Sequence, residues 1–147
     1  MPRLRTAVWL AGALIPATAA AQGPAPPTLD CALGFEALRA EAHALPGAVH
    51  EQAGGYEIVK LAAGSWSVQI SFTLPGHPAH PAAMVRTLRR QVTDVWTADS
   101  KGCGYGDRSQ FTILMADMKS GDTELTNASR AEVERRKQGA SPLAPGP

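Results

Sequence analysis

The chain predicts an α+β domain: a three- to four-stranded, mainly antiparallel sheet with two helices packed on one face and one disulfide. Three observations carry this. Phe35, Leu38, Ala42 and Leu45 recur at helical spacing. Trp66, Val68, Ile70, Phe72 and Leu74 alternate without a break against Ser65, Ser67, Gln69, Ser71 and Thr73, the two-residue period of a strand. Cys31 and Cys103 are the only cysteines in 147 residues, and the segment before them has the form of an export signal.

That segment opens with Arg3 and Arg5 and continues as an apolar run without a charge from Ala7 to Ala20. Small residues at Ala19 and Ala21 suit cleavage before Gln22. The run falls short of the roughly 20 residues that span a bilayer, and Gly12 and Pro16 interrupt it. Residues 1–21 are therefore expected to be a cleaved signal peptide and the mature protein to be periplasmic or secreted, with no later membrane span. In an oxidising compartment two thiols pair, so a Cys31–Cys103 disulfide is expected.

Removal of residues 1–21 leaves 126 of 147 residues, enough for one domain. The remainder carries 12 Lys and Arg against 13 Asp and Glu. So even a balance lacks the clustered basic surface that nucleic acid demands. Residues 22–28 (QGPAPPT) read as a Pro-rich flexible leader, residues 29–139 as the domain, and residues 140–147 as a disordered tail.

Within the domain, Asp30 is placed to cap a first helix starting near Cys31, and Pro46-Gly47 ends it. A turn-rich stretch leads to Gly54-Gly55. Residues 56–63 and 66–74 read as a β-hairpin whose second strand shows one face of Ser67, Gln69, Ser71 and Thr73. That uncharged face is a candidate binding surface. Val85, Leu88, Val92, Val95 and Trp96 predict a second helix over residues 82–98, with Arg86, Arg89 and Arg90 turned away. Residues 101–106 (KGCGYG) read as a loop, and residues 110–118 (QFTILMADM) as a third strand closed by a Ser120-Gly121-Asp122 turn. A light final helix is expected over residues 128–138, with Ser129 and Glu132 at capping-box spacing. The predicted order is α-β-β-α-β-(α).

Chemistry-bearing patterns are sparse. His77 and His80, three apart, offer a candidate metal pair. Two prolines interrupt the segment, and spacing supplies no third ligand. No serine stands in Gly-x-Ser-x-Gly, and the Gly-rich run at 102–106 follows a predicted helix rather than a strand. No catalytic set or cofactor is expected, and no motif specifies a family. The sequence points to a small exported, non-enzymatic accessory or binding module of the cell envelope, whose partner is an unknown envelope protein or small ligand. The alternatives are a metal- or small-ligand-binding periplasmic protein using His77 and His80, and a small secreted hydrolase.

Overall fold

The computed structural model describes residues 23–140; the expected signal peptide and residues 141–147 of the expected tail lie outside them. Asp30 caps as expected, its carboxylate accepting a hydrogen bond from the Ala32 amide, but it starts only a 3-10 turn, Cys31–Leu33. Gly34, at φ +83°, breaks that turn, and helix α1 begins after it, Phe35–His43. The chain then forms five strands in succession: β1 Val49–Ala53, β2 Tyr56–Ala63, β3 Trp66–Thr73, β4 Ala82–Arg90 and β5 Trp96–Gly104. Helix α2, Arg108–Gly139, closes the fold.

The strands pair with their sequence neighbours, all antiparallel, in the order β1-β2-β3-β4-β5. The hairpin of β2 and β3 forms where expected, its second strand ending at Thr73 instead of Leu74, and Val59 faces Ile70 across it. The α+β class and the disulfide hold. The strand count, the element order and the placement of the helices differ from expectation.

Residues 82–98 are not a helix but β4, a hairpin loop and the start of β5. Ala82, Ala83, Met84 and Val85 are all buried because β4 is an inner strand covered on both faces. Burial on both sides removes the alternation that marks a half-wet strand. The residues of the loop that follows supplied the accidental helical spacing. There Asp94 takes φ +66°, its amide donates to the Gln91 carbonyl, and its carboxylate accepts from Arg90.

Residues 110–118 and the last expected helix are one 32-residue helix, about 48 Å long. Asp107 caps it, accepting from the Gln110 amide. The Ser120-Gly121-Asp122 run, expected as a turn, sits in its middle. A Cβ at Gly121 would lie 3.1 Å from Arg86 Nη2, and Asp122 is turned inward onto Arg86. These turn-type residues mark a docking point.

The two helices occupy opposite faces rather than one. Along β4, Ala83 and Val85 join Leu38 and Ala42 of α1 in a core with Val59, Trp66, Val68, Ile70 and Phe72. Ala82 and Met84, pointing the other way, meet Phe111, Leu114, Met115 and Met118 of α2. Gly102 and Gly104, expected in a loop, belong to β5 under α2. A Cβ on Gly104 would fall 2.6 Å from the Phe111 ring and one on Gly102 2.8 Å from Met115 Sδ. The glycines make the seat into which α2 settles.

One charged network fastens that seat. Arg86 Nε donates to Asp122 Oδ1 at 2.7 Å, Arg86 Nη2 to the Met118 carbonyl at 3.0 Å, and the Ser100 hydroxyl to Asp122 Oδ1 at 2.8 Å. Asp122 keeps its second oxygen buried without a partner among the described residues, so its carboxylate relies on Arg86 and Ser100. Helix α2 also caps the β5 edge: Ser129 and Thr126 hydroxyls accept from the amides of Trp96 and Ala98. Ser129 is thus spent on the sheet instead of the expected capping box.

On the α1 side, Cys31 is bonded to Cys103 with Cα atoms 5.4 Å apart. The segment expected as a mobile leader is held against the domain: Trp66 Nε1 donates to the Pro24 carbonyl at 2.8 Å, and Pro26 is buried. It forms a strap from Trp66 to the disulfide.

Two stability outcomes follow. Replacing Cys31 and Cys103 together by Ser releases a 72-residue separation and lowers the unfolding free energy by about 4 kcal/mol in urea titrations. Gly104→Ala, at a strand position where alanine would ordinarily be favoured, costs roughly 1–3 kcal/mol through overpacking against Phe111. Gly139→Ala, which meets nothing within 4 Å, changes the urea midpoint little.

Candidate functional site

The four residues of the expected binding face lie on the α2 side of β3, and the fold divides them. Thr73 is buried: its hydroxyl accepts from the Ala82 amide at 2.9 Å where the chain enters β4. Ser71 is buried as well, with its hydroxyl accepting from Gln69 Nε2. Ser67 and Gln69 remain half-buried and open into a trough of about 740 Å³.

The trough exists because α2 lies over β5 and leaves the β2 and β3 end of the same sheet face uncovered. Leu88 and Leu125 form its apolar wall, Ser67 and Gln69 its floor, and Lys60 and Arg86 its charged margins. Both cations are already matched, Lys60 by Glu51 at 2.6 Å and Arg86 by Asp122. The surface is therefore electrostatically balanced, with amide and hydroxyl groups beside exposed leucine. Leu125 is 42% exposed and Val49, at the trough's outer end, 61%. Sequence reasoning found Ser67 and Gln69 by alternation. It missed Lys60, Leu88 and Leu125, which join them only through sheet register and helix placement.

His77 and His80 lie in the connection between β3 and β4, each tied to the fold. His77 Nδ1 accepts from the Ala79 amide at 3.1 Å, which places the neutral ring's proton on Nε2, 2.8 Å from the Tyr56 hydroxyl. Burial, and then the charge of Asp117, push the Tyr56 phenol above its ordinary range, so it stays protonated at neutral pH. His80 Nδ1 donates to the Thr73 carbonyl at 2.8 Å, and its ring stands edge-on to Phe35. A metal at His77 must displace Tyr56 or Ala79. Among the described residues, no group of three or more His, Cys, Asp or Glu is arranged to hold a metal ion.

A second titratable cluster, unforeseen in the sequence, joins α1 to the β1–β2 hairpin. Glu57 accepts from Arg39 and stands 2.6 Å from His43 Nε2, while the His43 and His50 rings stack in parallel at 4.8 Å. The Arg39 hydrogen bond holds the Glu57 carboxyl below its ordinary range, with its charge and the His43 contact adding to the effect against partial burial. Helical and strand periods place these residues correctly, but their convergence depends on where α1 crosses the sheet.

The lowered carboxyl sets a pH dependence. Its stabilisation is fully present above the ordinary glutamate range and is lost as pH falls through the depressed folded value. Glu57→Gln is expected to lower the urea midpoint at pH 6 to 7, and the gap to the parent protein narrows steadily as the titration is repeated towards pH 3. No family model matches the chain, and comparisons with characterised proteins and with solved structures find no match.

Proposed function

We propose that this chain is an exported, non-enzymatic binding module of the cell envelope that receives a segment of a partner protein in the trough beside α2. The trough carries this reading: an uncovered stretch of sheet where Leu88 and Leu125 flank the polar groups of Ser67 and Gln69, with its charges internally paired. Polypeptide offers the same mixture of apolar side chains and amide groups, whereas a small ion finds no unmatched charge there.

The setting fits an oxidising compartment. Cys31–Cys103 closes most of the domain into a loop, a bond that persists outside the cytosol. Among the described residues no helix is long and apolar enough to cross a membrane. An export signal at residues 1–21 supplies the route to a periplasmic or secreted location.

Site-specific photo-crosslinking in the export host tests the reading. A photoreactive residue at Ala62, inside the trough, is expected to give a discrete adduct that the same residue at exposed Glu124 does not. Leu125→Glu, placing a charge on the apolar wall, is expected to reduce that adduct at least about tenfold without shifting the urea midpoint. Absence of an adduct at Ala62, or one indifferent to Leu125→Glu, overturns the proposal.

A further inference from the structure

The strap of residues 24–30 leaves a second hollow on the opposite, α1 side of the sheet, a cleft of about 430 Å³ between Pro26–Leu29 and the outer parts of β4 and β5. Strand alternation directs Thr87 and Arg89 of β4 and Thr97, Asp99 and Lys101 of β5 into it. Val85 and Cys103 form a buried apolar base. Cross-strand register places Arg89 beside Thr97, Thr87 beside Asp99, and Lys101 beside Val85.

The charges in this cleft do not cancel. Asp99, opposite Thr87, is paired with Lys119 at 2.7 Å around the β5 edge, which leaves Arg89 and Lys101 in excess. Arg89 and Lys101 enter no ion pair among the described residues. Their strand positions are four residues apart along β5, about 13 Å, a gap that two long flexible side chains can close around one compact ligand. Guanidinium offers a planar fork to carboxylate or phosphate, and ammonium adds a point charge. Both side chains are exposed, so their pull on an anion is strongest at low ionic strength.

The geometry points to a binding site for a small molecule bearing at least two anionic groups, held between Arg89 and Lys101, with the Thr87 hydroxyl between them and the Asp99 carboxylate opposite it drawn aside to Lys119. The strap makes the site. It is pinned at one end by Trp66 to Pro24 and at the other by Cys31–Cys103, so the cleft has a wall only while the strap is docked. The site is separate from the trough, which opens on the other face of the sheet, and its success or failure leaves that reading untouched.

Pyrophosphate and citrate are the probes, titrated separately into the oxidised, isotope-labelled protein purified from an export host, at about 50 mM NaCl. Saturable amide shifts at Thr87, Arg89 and Lys101, with Kd below about 1 mM for at least one probe, are expected. Response to citrate alone assigns a carboxylate ligand, and response to pyrophosphate alone a phosphate ligand; both support the site. Arg89→Gln and Lys101→Gln are each expected to weaken binding about tenfold, and Lys137→Gln, on the far end of α2, to leave it unchanged. Trp66→Phe, which frees the strap while keeping both cations, is expected to weaken binding several-fold. The proposal is overturned if neither probe saturates, if Lys137→Gln weakens binding as much as Arg89→Gln, or if Trp66→Phe has no effect.

Discussion

The seating of α2 on β5 is the constraint on which the rest of this architecture turns. A helix can approach a strand closely only where side chains yield, and here Gly102 and Gly104 yield to Met115 and Phe111. Once α2 lies there, Arg86 can reach past Gly121 to Asp122, and Thr126 and Ser129 can cap the β5 edge. Each contact presupposes the others. The charged link is not an independent source of stability, since desolvating Arg86 and Asp122 offsets much of their attraction. Its effect is to select one register of a long, mainly polar helix on the sheet.

The α1 side is held by different means. Helix α1 is nine residues long and buries little beyond Leu38 and Ala42, so it covers only part of the inner strands. The strap and the disulfide complete that layer. Phe35 gathers the junction, with edge contacts to Phe72, His80 and Tyr105 at 5.4–6.5 Å, and Tyr105 donates to the Cys31 carbonyl. A small domain with one short helix on a broad sheet face gains from a covalent tie at that place.

Partial cover on both faces has a functional consequence. Each helix shields one end of the sheet, and each leaves a hollow at the other: the balanced trough beside α2 and the cationic cleft beneath the strap. The two differ in chemistry because of pairing, not composition. Lys60 and Arg86 are each held in an ion pair, and among the described residues Arg89 and Lys101 are in none, Asp99 between them being drawn to Lys119. A chain with an almost even count of acids and bases can thus present one neutral and one positive recess.

Local pattern was sufficient for α1, for the β2–β3 hairpin and for the pairing of the cysteines. A half-wet strand must alternate, a short amphipathic helix must repeat every three or four residues, and two lone thiols have only each other. It also located Ser67 and Gln69 on an open face. Residues 82–127 escaped it because their environment is made by distant parts of the chain, whereas the helix expected over 128–138 is the end of α2. An inner strand buried on both faces loses its period, glycines that admit a helix look like a loop, and Gly121-Asp122 resembles a turn until Arg86 arrives from β4. The helices' placement on opposite faces, and with it both recesses, was decided by which glycines and which charges met across the folded sheet.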